Sequence, residues 1–147
     1  MHEGGVLLLF GNDSGNVEFT HFNQLVKKFG IRFNCDSRNR VIGSQYDMGA
    51  FPIPASHSIF KTPKRIYIKE YASQAITKPA TAAFTDGKTV VMSVAQIGKG
   101  TVFAVGDPWF YNEYFDGRKL PAPLENYKAG EDLVKWAIKK IPAKNKL

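Results

Sequence analysis

The sequence predicts a single α/β domain on a mostly parallel sheet, and three observations carry that expectation. Gly5-Val6-Leu7-Leu8-Leu9-Phe10 is an unbroken apolar run of strand length, the pattern of a strand buried on both faces. After the turn cluster Gly11-Asn12-Asp13-Ser14-Gly15, the apolar residues Phe19, Phe22, Leu25, Val26 and Phe29 recur at helical spacing. Ile31-Arg32-Phe33 then alternates as a short strand. Strand, turn, helix and strand in this order form a βαβ unit, which implies parallel pairing through a right-handed crossover.

The remaining elements follow in chain order. The first helix is expected over Val17–Phe29, with Lys27 and Lys28 suited to its negative end and Gly30 to its termination. Residues 35–54 are polar and carry Gly43, Gly49, Pro52 and Pro54, so a long excursion is expected there. Ile66 to Tyr71 reads as a strand kept extended by Pro63, and Ala80 to Thr85 as another, ended by Asp86-Gly87. Thr89–Ile97 and Thr101–Val105 are β-rich runs around Gly98-Lys99-Gly100, which reads as an antiparallel hairpin. A loop rich in aromatic and polar residues follows to Pro123, and the spacing predicts a helix over Glu125–Ile141, stopped by Pro142.

Length and composition bound the function classes. One domain accounts for residues 1–147. The abrupt passage from Gly4-Gly5 into a buried strand predicts that earlier elements belong before it in a longer protein. Cys35 has no second cysteine to pair with, which excludes a disulfide framework. No apolar run is long enough to span a bilayer as a helix. The formal charge of +7 raises the question of nucleic acid. Yet Lys139, Lys140, Lys144 and Lys146 crowd one helix end and tail, the other cations are scattered, and no nucleic-acid-binding motif accompanies them. No nucleic-acid partner and no membrane partner are therefore expected.

In open α/β sheets ligands bind beyond the carboxyl ends of the strands. Two segments qualify if the second hairpin strand runs parallel to the first strand. Asn12, Asp13 and Ser14 come from one, and Asp107, Trp109, Asn112, Glu113 and Tyr114 from the other. Carboxylates, amides and aromatic faces are what a sugar-binding or glycan-cleaving site uses. The plainer alternative stands beside it: Asp13 and Ser14 as helix caps, Asp107-Pro108 as a turn opener, and Trp109 packed under its loop. Gly11 to Gly15 has the outer glycines of a nucleophile elbow but holds Asp13 at its centre, so no catalytic residue is assigned. The three histidines show no metal-ligand spacing, and neither metal nor cofactor is expected.

Several of these stretches resemble known families. The strand start Gly4-Gly5-Val6-Leu7-Leu8-Leu9 and the hairpin Ile97-Gly98-Lys99-Gly100-Thr101-Val102-Phe103-Ala104-Val105-Gly106-Asp107 resemble the class I glutamine amidotransferase-like fold. The runs Gly11–Phe19, Phe29–Asn34, Asp36–Val41 and Gly106–Tyr114 are similar to a domain attached to unsaturated rhamnogalacturonyl hydrolases of glycoside hydrolase family 105. The resemblance implies a three-layer, flavodoxin-like sheet, mostly parallel with a late antiparallel hairpin. It also implies a bacterial pectin-degrading protein, periplasmic or secreted. Neither parent chemistry carries over: the chain is too short for the hydrolase's helical barrel, and Cys35 lies off the elbow that an amidotransferase needs.

The resulting expectation is a non-catalytic accessory domain of a pectin- or rhamnogalacturonan-degrading enzyme. Its partners would be the catalytic domain of that glycosidase, an oligosaccharide, or both. Two alternatives stand beside it: a fragment lending carboxylates to a glycosidase active site, and a purely structural module.

Overall fold

The computed structural model describes residues 1–39, 41–108, 112–115 and 118–141. The main sheet contains β1 (Val6–Phe10), β2 (Ile31–Phe33), β5 (Gln74–Ile76), β6 (Ala80–Asp86), β7 (Thr89–Ile97) and β8 (Gly100–Val105). Its order is β1-β8-β7-β5-β2, with β6 on the other side of β7. A second, two-stranded sheet pairs β3 (Ala50–Pro52) with β4 (Arg65–Tyr67). The helices are α1 (Phe19–Val26), extended by a 3-10 turn over Lys27–Phe29, and α2 (Asn126–Lys140).

Local chemistry explains these elements. Gly98 turns the β7/β8 hairpin at φ 57°, and Gly30 ends the first helical segment at φ 75°, both in the left-handed region that glycine tolerates. Glu18 caps α1, accepting the amides of Thr20 (2.6 Å) and His21 (2.8 Å), and these bonds, that from the His21 amide foremost, hold its carboxyl at about 2. The cap expected from Asp13 or Ser14 is therefore supplied four to five residues later.

The sheet differs from the one predicted. Among its paired strands only β1 and β8 run parallel; the β2/β5, β5/β7, β6/β7 and β7/β8 pairings are all antiparallel. A mostly parallel, three-layer flavodoxin-like arrangement is thus replaced by a mixed, curled half-barrel. β1 and β2, expected side by side, do not pair. The reason is physical: apolar patterning reports which faces of a strand are buried, not which strand lies next to it. The hairpin delivers β8 parallel to β1, while β2 finds β5 instead.

The curl comes where β8 ends. Val105 lies opposite Met92, and Gln74 of β5 takes up the same edge of β7 opposite Val90. Between them the Ala72 amide donates to the Gly106 carbonyl (3.0 Å), and a Cβ at Gly106 would collide with the Ala72 backbone. Val102 and Ala104 join Leu9, Val26 and Phe29 in one core, whereas Phe103 and Val105 join Ala129 and Leu133 in the other. Both faces of β8 are consequently buried, as its unbroken apolar run requires.

Helix α2 packs through polar as well as apolar side chains. It buries Asn126, Ala129, Gly130, Asp132 and Leu133, leaving Val134 and Ile138 about half exposed at 53% and 52%. Asn126 donates to the Tyr67 carbonyl (2.9 Å) and accepts the Tyr67 amide (2.7 Å). Asp132 accepts the amides of Lys61 (2.6 Å) and Thr62 (2.7 Å) and the Thr62 hydroxyl (3.0 Å). Glu125 accepts the Lys64 amide (2.7 Å). Burial raises both carboxyls, but the Thr62 and Lys61 donors at Asp132, and at Glu125 the Lys128 ammonium first and then the Lys64 amide, outweigh it and leave both below their ordinary values. Three polar side chains thus latch segment 61–67, too short for a full strand, onto the helix. The stop at Pro142 lies outside the described residues.

Candidate functional site

The parallel register of β1 and β8 sets Phe10 opposite Val105, and the Gly11 amide continues the ladder to the Val105 carbonyl (2.8 Å). The segments after the two strands therefore leave the sheet at the same edge. Their side chains find separate partners. Asp13 is buried in its own turn: its amide donates to Asn12 Oδ1 (2.9 Å) and its Oδ1 accepts from Asn16 Nδ2 (2.8 Å). Ser14 donates its amide to the Asp36 carbonyl (3.0 Å). Asn12, Asp13 and Ser14 shape a turn.

The second segment turns toward a cluster of tyrosines. Asp107 is fully buried, and its charge is among those that act on the Tyr67 phenol. Asn112 Oδ1 accepts the Tyr114 amide (3.2 Å), which fixes the loop locally. Tyr114 packs its ring 5.3 Å from that of Tyr67, and Tyr46 meets Tyr67 edge-on at 5.7 Å. Burial, then the neighbouring Tyr114, Tyr46 and Asp107, push the Tyr67 phenol well above its ordinary value, so it stays protonated. Glu113 is exposed and stands 3.9 Å from the Lys119 ammonium. Trp109 lies outside the described residues.

Beside these rings opens a cavity of 490 Å³ lined by Ser44, Gln45, Tyr46, Asp47, Met48, Arg65, Pro121, Pro123 and Leu124. Its floor belongs to the same cluster, since Tyr46 packs with Tyr67, Leu120, Leu124 and Tyr114. Its rim is polar: Arg65 Nη2 holds Asp47 Oδ1 at 2.8 Å, with Gln45 and Ser44 alongside. A 3-10 turn over Tyr46–Gly49, the short strand β4 and the 121–124 loop supply these residues, and Asn126 positions β4 beneath them. A concave surface of this size, with ring and proline faces plus a few fixed polar groups, fits a small polar ligand.

Other polar groups hold the frame. Asp36 accepts the Ser73 amide (2.8 Å), the Ser73 hydroxyl (2.6 Å) and Arg38 Nε (2.7 Å). Burial pushes its carboxyl up, and those bonds, the Ser73 hydroxyl's first, more than reverse the effect. His57 donates from Nε2 to the Ala83 carbonyl (2.9 Å) while Nδ1 accepts the amides of Ile59 (3.2 Å) and Phe60 (3.0 Å), an arrangement only the neutral ring supports. Burial lowers its pKa in the same sense. Among the described residues, no three His, Cys, Asp or Glu side chains are grouped to hold a metal ion. Within the same residues no helix is long and apolar enough to cross a membrane.

Sequence reasoning missed Tyr46, Tyr67 and Arg65. They come from a 3-10 turn and a three-residue strand, which leave no periodicity, and the only signal was the density of Tyr, Pro and Gly between residues 43 and 67.

No protein-family model and no curated protein matches the chain. Among solved structures, the mmIFT52 N-terminal domain aligns with a TM-score of 0.67 over 97% of this chain and 68% of that one, at 16% sequence identity. The chain shares that fold. At this identity the likeness to the mmIFT52 domain concerns fold alone. It overturns the expected resemblance to the glutamine amidotransferase-like domain attached to rhamnogalacturonyl hydrolases. The stretches that carried the resemblance, an apolar first strand, a glycine hairpin and Gly-Asp turns, are local devices that serve a mixed half-barrel equally well. The glycoside hydrolase accessory role, the pectin-degrading parent and the periplasmic or secreted location were drawn from that resemblance.

Proposed function

We propose that this chain is a non-catalytic binding domain whose ligand seat is the 490 Å³ cavity around Tyr46. The observation that carries this reading is the cavity's chemistry. Tyr46, Met48, Pro121, Pro123 and Leu124 supply apolar faces, while Ser44, Gln45, Asp47 and Arg65 supply hydrogen-bond groups at the rim. Carbohydrate rings present the matching surfaces, C–H faces and hydroxyl edges. Binding rather than turnover is favoured at the cavity itself, where the carboxylate among the lining residues, Asp47, is tied to Arg65 Nη2 at 2.8 Å; elsewhere Glu18, Asp36, Glu125 and Asp132 are held down by structural hydrogen bonds. A glycosidase acid needs the opposite displacement.

Calorimetric titration with neutral and uronic-acid oligosaccharides at millimolar concentration tests the reading. Saturable heat that Gln45→Ala and Arg65→Gln each weaken at least about fivefold (about 1 kcal/mol) is the expected result. Both side chains sit on the cavity rim with little structural duty. No saturable heat, or binding indifferent to both variants, sinks it. Docking to a larger protein is the second reading, favoured by the outer side of α2, where Tyr127, Val134 and Ile138 remain exposed.

A further inference from the structure

Trp136 of α2 lines two further cavities, of 290 and 300 Å³, which also share Ser58 and Ile59. These shared walls are fixed in place. The indole packs against the core that contains Phe103 and Leu133, meeting the Phe103 ring at 6.2 Å and 64°. Ile59 is buried, and its amide donates to His57 Nδ1 (3.2 Å).

The two cavities differ in chemistry. The first offers the apolar side chains of Ile59, Pro79, Val94 and Trp136, with the Lys140 ammonium 5.8 Å from the centre of the indole. The second is cationic. It gathers Lys61 from the segment before β4 together with Lys135 and Lys139, which fall one turn apart on α2. Lys61 is remote from the helix in sequence, and only the fold brings it to the other two. Asp132 is the carboxylate of this cavity, and its Oδ2 is already engaged by the Lys61 and Thr62 amides and the Thr62 hydroxyl. Three ammonium groups against one carboxylate leave a surplus of two positive charges around 300 Å³. Lys135 also pairs with Glu131 at 3.2 Å, an exposed contact weak enough for a better-placed anion to displace.

From this pairing we propose that the chain has a second binding seat, made for a small phosphate monoester with an apolar or aromatic body. The phosphate carries about −1.5 to −2 charges at neutral pH and so matches the surplus among Lys61, Lys135 and Lys139. Its organic body lies along Trp136 in the adjoining cavity. Lysines act as point charges on a compact anion and lack the planar fork with which arginine grips a carboxylate, so the seat favours phosphate. Concave walls of this size suit a small molecule and not a flat macromolecular surface. The seat shares no lining residue with the Tyr46 cavity and does not depend on it.

The test is a titration of the chain with phenyl phosphate, followed by indole and amide shifts, with inorganic phosphate and phenol as its two halves. Loss of one indole signal in Trp136→Phe assigns the reporter. The ester should give saturable shifts at the Trp136 indole and at the Ile59, Lys61 and Lys139 amides, with a Kd of about 1 mM or tighter. Each half should bind at least about tenfold more weakly, because neither fills both cavities. Lys61→Ala and Lys139→Ala should each weaken the ester at least about fivefold, whereas Lys139→Arg, which keeps the charge, should stay within about twofold. An amide spectrum that otherwise matches the parent shows that these variants are folded. The proposal is overturned by the absence of saturable shifts at millimolar ester, or by either half binding as tightly as the ester. It is also overturned if both alanine variants bind like the parent, or if the shifts centre on Gln45, Tyr46 and Arg65, since the ester would then occupy the other cavity.

Discussion

Asn126→Ala is the perturbation whose outcome follows most closely from the geometry. The Asn126 side chain is fully buried and makes both hydrogen bonds that the Tyr67 backbone offers, at 2.7 and 2.9 Å. Truncation strands a buried amide and a buried carbonyl at once, each costing about 1–3 kcal/mol when left without a partner. The expected loss is therefore about 4 kcal/mol, which with an m-value of about 2 kcal/mol/M lowers the urea midpoint by about 2 M. Equilibrium unfolding followed by tyrosine and tryptophan fluorescence reads this directly. Lys135→Ala, which breaks the exposed pair with Glu131 and removes one distant cation from Asp132, serves as control and should move stability by less than about 0.5 kcal/mol. Asn126→Asp sharpens the test. It keeps an acceptor for the Tyr67 amide but points a carboxylate at the Tyr67 carbonyl, so its destabilisation should ease in acid, as protonation supplies a donor. An Asn126→Ala midpoint within about 0.5 M of the parent would refute the latch.

Other outcomes follow from the same contacts. Gly106→Ala should cost about 1–3 kcal/mol or more, because its Cβ meets the Ala72 backbone and not a side chain that can swing away; thermal unfolding measures it. His57 is neutral in the fold and its pKa is lowered, so the unfolded chain takes its proton first. Its contribution is complete above the unfolded value near 6.5 and drains away as pH falls from there to the folded value; urea midpoints should show that slope, and His57→Gln should flatten it. The Asp36, Glu125 and Asp132 carboxyls are held below their ordinary values. They add stability above the usual carboxylate range that is lost as pH falls through it and below. Asp36→Asn, which retains one acceptor oxygen, should remove part of that acid dependence without changing the slope near neutrality.

Much of the fold is written in local patterns. The helix ending at Gly30, the hairpin turned by Gly98, the strand from Ala80 and the C-terminal helix lie where spacing and turn chemistry put them. Partnership is not written there. Nothing in Val6–Phe10 distinguishes β8 from β2 as its neighbour, because an apolar run suits either. Polarity misleads at α2, where Asn126 and Asp132 go inward to latch segment 61–67 while Val134 and Ile138 face out. Of the residues singled out for binding, Asp107 and Tyr114 both act on Tyr67, the first through its charge and the second through its ring. Asp13 closes a turn, and the cavity draws on Tyr46 and Arg65, which no periodicity marks.

The claim that this domain binds a small polar ligand at the Tyr46 cavity is tested most directly by mapping amide shifts during an oligosaccharide titration. The account predicts saturable shifts at Gln45, Tyr46, Asp47, Met48, Arg65 and Leu124, with Asp13, Ser14 and Glu113 unmoved. Shifts centred on Asn12–Ser14 and Glu113, or none at millimolar ligand, would contradict it.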